Sequence, residues 1–414
     1  MKNSITISIL AAIILCYTLR MDAQKSYQFD KKGISETVLK AYLSRSITMA
    51  EFLTSDPYCV DGTLPNKYDD IRMVKNIGAK FIGRAIYRWG KEDVLINPDY
   101  LKKAKAIADN VHQFDGDIVL QGALFEMISP KVNNIPVPLW VFNEFDLPVE
   151  NRNFDYTKML NLNGKMINQW GKSGSVPDIT RIETQMWFMY LAGTYMELGC
   201  EAFHLGQIAL IGMEDKNFQS WGGFIGKLRK YAQKHARRGW VLLDAHTPSG
   251  GMVADGKSLL DFNSFLMRIK EIPEKPMECK LQVAYLDGLY GRSKSCITPG
   301  GWKSKSLPYL VEFDNYGCNR KPGIADTTSI YVWGYDEITW FYLQKEEYKN
   351  QWLMDATKWV RDHDENCFLE MPGCRLVSLC DGQPTKIYHA NRRTKDYPEG
   401  QNVEETIKAI WEKQ

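Results

Sequence analysis

From about residue 79 onward, short β-rich runs alternate with amphipathic helical runs, and that alternation leaves few folds open to the chain. Neighbouring parallel strands cannot be joined by a tight hairpin; they need a crossover of a dozen or more residues, most often a helix. The pattern therefore predicts a parallel sheet with its crossovers packed outside. Strands are expected at residues 81–89, 117–126, 201–210, 240–246, 260–269, 281–286, 309–314 and 367–371. Helical periodicity is expected at 99–112, 179–198, 221–238, within 336–360, and at 403–411. Eight such strands, with no GxGxxG after the first, predict an α/β chain folded as a (β/α)8 TIM barrel rather than a doubly wound nucleotide-binding sheet.

The start of the chain reads differently. Met1-Lys2-Asn3 is short and basic, residues 5–19 are apolar, and Ala23 offers a small residue for cleavage. That run is too short to span a bilayer and reads as a signal peptide over 1–23, with a lipid anchor on Cys16 as the weaker alternative. Residues 24–75 are then expected to form a helical extension on the bottom or side of a barrel domain at 76–414. No later run is long enough to cross a membrane, so the mature chain is expected to be secreted or periplasmic. The formal charge of +2 becomes +1 once Lys2, Arg20 and Asp22 are lost, which gives no reason to expect nucleic acid or an anionic membrane as partner.

Eight cysteines remain after that cleavage, an even number that permits disulfides in an oxidising compartment. Cys374 and Cys380 are close enough in sequence for a local bridge, and Cys200, entering an apolar run, reads as a buried thiol. No Cys/His spacing, HExxH or HxH favours a metal, and no cofactor motif occurs: Gly222 to Leu228 lacks the P-loop spacing, and no GxSxG is present.

Strand parity locates the chemistry, because alternate residues point into the barrel and out toward the helices. Asp244 and His246 share one face, opposite Leu243 and Ala245; Glu312 and Asp314 share one face, opposite Val311 and Phe313. Glu126 and Glu370 repeat the theme at two other strand ends. An ionised carboxylate inside a barrel mouth has to be solvated, paired or used, since burial without a partner is very costly. Their plain alternative is mutual pairing, with Arg84 or Arg88 as partners.

His204 and His246 fall near one rim and Tyr87 and Trp333 supply flat rings, so the expected substrate contacts are Tyr87, Arg88, Glu126, His204, His246, Asp314, Trp333 and Glu370. Two insertions, 128–178 after strand two and 288–308 after strand six, are expected to wall the pocket, with Trp140 and Trp302 among their aromatics.

With this leader, alternation and acidic rim, residues 75–385 resemble the glycoside-hydrolase-like barrels of secreted polysaccharide-degrading bacterial systems. In many retaining barrel glycosidases the acid/base ends strand four and the nucleophile ends strand seven, which here implies Asp244 and Glu312 as the catalytic pair. The Asn-Glu dipeptide of that family is missing from strand four. A pattern similar to that of α-galactosidase-like enzymes implies Asp244 and Asp287 instead. The resemblance implies a carbohydrate substrate and hydrolysis through two carboxylates. A non-catalytic glycan-binding barrel and a metal-dependent hydrolase remain the alternatives, because a fold alone does not establish an activity.

Overall fold

The computed structural model of the protein describes residues 27–54, 67–248, 250–282, 292–319, 321–326, 328–380 and 386–413. The leader, Cys59, Asp287 and Tyr290 lie outside the described residues, as does most of the strand expected at 281–286.

The core is a curled half-barrel sheet of ten strands: β1 (Ser46–Met49), β2 (Phe81–Ile86), β3 (Val119–Ala123), β4 (Ala202–Gln207), β5 (Leu242–His246), β6 (Asn263–Leu266), β7 (Tyr309–Glu312), β8 (Cys367–Leu369), β9 (Met371–Val377) and β10 (Lys386–His389). β1 to β7 lie side by side in chain order and all in parallel. β8 pairs with β7 at one end of this array, and β9 pairs with β1 at the other; Glu370 alone separates β8 from β9. One segment of chain thus serves both ends. β10 adds an antiparallel edge beyond β9.

Several expected elements move. The segment read as a helical extension contains helix α1 (Glu36–Leu43) but also supplies β1, so the strand expected first is the second. Only four residues long, with Ser46 and Thr48 on its inner side, β1 lacks the apolar run that marks a strand in sequence. The stretch around Leu281 is not in the main sheet; Cys279–Leu281 forms a two-stranded ribbon with Ile269–Glu271.

Helices fill the crossovers from β1 through β5: α2 (Lys67–Ile77), α3 (Pro98–Phe114), α4 (Ile182–Leu198) and α5 (Gln219–His235). Between β7 and β8 run α6 (Glu337–Leu343) and α7 (Glu346–His363), and α8 (Glu404–Glu412) follows β10. The described crossovers from β5 to β6 and β6 to β7 contain only short strands and loops, so the helix-per-strand regularity stops there. No helix of the described residues is long and apolar enough to cross a membrane.

Two shells of side chains make the core. Outward-facing residues such as Ile47, Ile82, Leu120, Phe203, Leu243 and Val311 pack under the helices, where Trp187, Trp340 and Trp352 are buried. Inside, Phe81, Val119, Ala202, Leu242, Phe262, Leu310 and Phe368 form one apolar cluster, covered from below by Val38, Leu39 and Tyr42 of α1. Burying such side chains is worth about 1.5–3 kcal/mol each. Two residues further along the same strands, the interior turns polar.

Candidate functional site

That second interior layer consists of Gln121, His204, Asp244, Ser264, Glu312 and Glu370, all buried. The parity argument placed three of them, Asp244, Glu312 and Glu370, correctly on the inner side. Their charge is balanced by Arg84, which a regular strand would have pointed outward with Ile82 and Ile86. A bulge prevents this: the pairing of β2 with β3 slips between Ile82 and Ile86, Arg84 takes φ +54°, and its amide donates to Gln121 Oε1 at 2.9 Å. A bulge of this kind re-aims a side chain. The next-door Gly83 is required as well, because a Cβ there would stand 2.0 Å from Glu370 Oε1.

Arg84 grips Glu312 with both terminal nitrogens, Nη2 at 2.5 Å from Oε1, and Nη2 also lies 3.3 Å from His204 Nε2. His204 Nδ1 meets Asp244 Oδ2 at 2.7 Å. Gln121 donates to Asp244 Oδ1 at 2.7 Å, and the Ser264 hydroxyl donates to Oδ2. On the other side His246 Nε2 lies 2.8 Å from Glu312 Oε1. Burial works to raise the Glu312 carboxyl, but the charges of Arg84 and Arg375 and the His246 hydrogen bond hold it well below the usual carboxylate range. Glu370, 3.9 Å from Arg84, is pushed up to about 7 by burial first and by the charge of Glu312 second. Burial lowers His204, which favours a neutral ring.

Above this layer opens a cavity of about 370 Å³, at the C-terminal ends of the strands. Its floor is Arg84, His204 and His246. Tyr87 and Trp89 line it from beyond β2, Phe125 and Glu126 from beyond β3, and Asp314 to Tyr316 from beyond β7. Arg375 and Ser378 complete the wall at the end of β9. Trp170 reaches in from the 128–178 insertion; its indole donates to the Glu126 carbonyl at 2.7 Å, and its ring lies 5.3 Å from that of Trp89.

Two carboxylates face this space. Glu126 accepts from the amide and the side chain of Gln207, at 3.0 and 2.8 Å, and needs Gly206 beside it: a Cβ there would stand 2.1 Å from Glu126 Oε2. Asp314 accepts from Arg375 Nη2. A disulfide from Cys318 to Cys380 ties together the two chain segments that carry Tyr316 and Ser378.

Of the expected site residues, Tyr87, Glu126, His204, His246 and Asp314 are brought together in this cavity. Asp244, Glu312 and Glu370 belong to the buried layer behind it, and their side chains are not among its walls. Counted from β1, Asp244 lies on the fifth strand and Glu312 on the seventh, so only one strand of the curled sheet separates them. Arg88 points away, donating to Glu51 at 2.8 Å and covering the Tyr100 ring. Trp333 is buried, with its indole on the Glu278 carbonyl at 3.0 Å.

The aromatics of the insertions are redistributed too. Trp140 stacks on Tyr231 of α5, and Trp302 donates to the Ile34 carbonyl near the apolar cluster, at the opposite end of the strands from the cavity. Cys374 is buried and does not bridge to Cys380, which pairs with Cys318; Cys200 is the buried thiol the sequence indicated. Sequence reasoning passed over Gln121, Ser264, Gln207, Trp170 and Arg375. Gln121 and Ser264 carry a readable signal, since each lies two residues beyond an inward apolar residue. Among the described residues, no group of three or more His, Cys, Asp and Glu is arranged to hold a metal ion.

No protein-family model and no curated protein matches the chain. Among solved structures it is similar to several glycoside hydrolases. A debranching enzyme from Nostoc punctiforme is 12% identical, with 90% of this chain and 80% of that chain covered, at a TM-score of 0.41. A GH27 β-L-arabinopyranosidase from Geobacillus stearothermophilus is 11% identical, with 90% and 76% covered, at 0.37. An alpha-amylase from Lactobacillus plantarum is 13% identical, with 54% and 53% covered, at 0.33, so the chain spans about half the length of that protein. These are loose likenesses of overall shape.

Proposed function

We propose that this chain is a secreted glycoside hydrolase, built on a closed (β/α)8-type barrel and acting on an oligo- or polysaccharide held in the cavity above Arg84. The observation that carries the reading is the cavity itself. Flat rings of Tyr87, Trp89, Trp170 and Tyr316 surround two carboxylates, Glu126 beyond β3 and Asp314 beyond β7, in a space large enough for a sugar. In a closed barrel of eight positions those two strands stand four places apart, which would bring their acids in from opposite sides. Glycoside hydrolysis needs that disposition, one carboxyl group on each side of the scissile bond.

Asp244 and Glu312, expected as the catalytic pair, serve in this reading as the buried support of His204 and His246. Closure of the barrel is supported by the segment that contributes both β8 and β9, and an oxidising compartment by the Cys318–Cys380 disulfide. One observation favours a second reading, a glycan-binding protein without turnover: Glu126 and Asp314 already have partners in Gln207 and Arg375.

Hydrolysis of a panel of aryl glycosides and polysaccharides by the wild type, Glu126→Gln and Asp314→Asn tests both readings. The hydrolase reading expects each variant to turn over about 10²-fold more slowly or worse, with binding retained. Near-wild-type rates in both variants would sink the assignment of these acids. Sugar binding with no product from wild type on any substrate would favour the second reading.

A further inference from the structure

The two histidines at the cavity floor are held by opposite ring nitrogens, and this fixes what each presents. Asp244 and Glu312 lie in the buried layer, and an ionised carboxylate can only accept hydrogen bonds. His204 meets Asp244 through Nδ1, at 2.7 Å, so its proton sits on Nδ1. Its Nε2 then carries a lone pair, and Arg84, which can only donate, lies 3.3 Å from that atom. His246 is the reverse case. It meets Glu312 through Nε2, at 2.8 Å, and Glu312 is kept ionised by the two terminal nitrogens of Arg84. The proton of a neutral His246 therefore sits on Nε2, and the lone pair on Nδ1. Nδ1 makes no hydrogen bond with any described residue, while the His246 side chain is 18% exposed and lines the cavity.

Arg84 is thus the cation that touches both halves: with Arg375 it neutralises Glu312 on one side, and it donates to His204 on the other. The rings of His204 and His246 meet edge to face, with centroids 4.9 Å apart, so neither can rotate without displacing its neighbour. The floor is held by a continuous chain, Asp244 to His204 to Arg84 to Glu312 to His246. Every link in it has its donor and acceptor defined, and the chain ends on the open Nδ1 of His246.

We propose that His246 is a specificity-determining acceptor whose Nδ1 lone pair receives a hydrogen bond from one hydroxyl of the bound sugar. The Asp244–His204–Arg84–Glu312 chain positions it in that tautomer. This rests on the sugar reading of the cavity and adds to it a requirement: the ligand must carry a hydroxyl donor at one place on its ring. A site built to pair with a hydroxyl rejects the analogue that lacks it far more strongly than an apolar pocket rejects a missing methylene. The other groups facing this floor are Arg84 and Arg375, which only donate, Asp314, bound to Arg375, and Glu126, bound to Gln207. Of the two imidazoles at this floor, His246 is the one whose accepting atom has no partner among the described residues, since Nε2 of His204 faces Arg84.

Two measurements test the proposal on the full-length protein. The first needs no ligand: long-range ¹⁵N–¹H spectra of the histidine-labelled chain at pH 8 should show His246 with an unprotonated Nδ1 and a protonated Nε2, and His204 with the opposite pattern. A protonated Nδ1 on His246 overturns the proposal. The second uses methyl glycosides of common hexoses and pentoses, and the mono-deoxy analogues of whichever binds, titrated calorimetrically into wild type, His246→Gln and His246→Asn.

Glutamine places its amide where Nε2 lay and keeps the contact to Glu312, while asparagine leaves an oxygen near the place of Nδ1. The expected result is that His246→Gln weakens the parent glycoside by about tenfold or more, that His246→Asn weakens it less, and that one deoxy analogue binds wild type and His246→Gln equally. Equal weakening of the parent and of every analogue overturns the proposal and leaves the sugar reading standing. Failure of wild type to bind any glycoside overturns the sugar reading and this inference with it.

Discussion

Two layers inside the same sheet, one residue pair apart, are built on opposite principles. Toward the N-terminal ends of the strands stand Phe81, Val119, Leu242, Leu310 and Phe368; two positions on, the same strands carry Gly83, Gln121, Asp244, Glu312 and Glu370. The lower layer needs only volume and apolarity, and its parts tolerate exchange. The upper layer buries several ionisable groups, and each is tolerable only while its partner stays in place. Where the lower layer holds the curled sheet together, the upper one fixes orientation, and it is the upper one that floors the cavity.

The contrast is broken most severely at Arg84. Replacing it with methionine leaves Glu312 buried without its main counter-charge, and the expected loss is about 3–5 kcal/mol of unfolding free energy, read from denaturant titration. A loss below about 1 kcal/mol would mean that water already reaches this layer. Next in size, Leu310→Ala in the lower layer should cost about 2–4 kcal/mol through burial lost and space left behind, while glycoside affinity at the remaining folded fraction stays unchanged. An altered affinity would show the two layers to be mechanically coupled.

Glu370 sharpens the comparison through pH. Its carboxyl is raised from 4.5 to about 7 in the folded protein, so the native state holds a proton that the unfolded chain releases. Stability contributed at this site is full below about pH 4.5 and declines as the pH rises toward 7. Glu370→Gln, which keeps the shape of the protonated acid, should therefore gain on the order of 1–3 kcal/mol over wild type at pH 8 and almost nothing at pH 4. Glu312 runs the other way, its contribution present above the ordinary carboxylate range and lost as the pH falls through its depressed value. A Glu370→Gln advantage that did not change between pH 4 and 8 would refute the proton assignment.

The smallest effect provides the baseline for charge as such. Lys105 and Asp109 form an exposed ion pair one turn apart on α3, and Lys105→Ala should shift unfolding by less than about 0.5 kcal/mol. A shift of about 3 kcal/mol or more would show that ion pairing on the surface weighs as much as pairing inside.

The same contrast explains what could be read from the sequence. Alternation is visible wherever an apolar residue flags each face, and so Leu242, Asp244 and His246, or Leu310, Glu312 and Asp314, could be assigned to the inside before any coordinates. β1 escaped because its inward residues are Ser46 and Thr48, small polar groups that serve Glu370 and leave no apolar mark. Arg84 is legible as one partner of these acids, as found, but its inward aim is not, because that comes from a bulge, a local break in the very period that parity reasoning relies on. The division between cavity wall and buried support was also hidden. Glu126 and Glu312 look alike in sequence, and what separates them is a neighbouring arginine from one strand and a glycine, Gly206, from another.

One consequence reaches beyond the folded state. Ser46 on β1 donates to Glu370, which stands 324 positions later in the chain, and β1 gains its second neighbour only from β9. During synthesis, therefore, β1 waits with a bare edge until β9 has emerged. Contacts of such long range make folding slow, and an exposed strand edge invites pairing with other chains in the meantime. The short length and polar inner face of β1, which disguised it as a strand, also make it a poor template for aggregation while it waits.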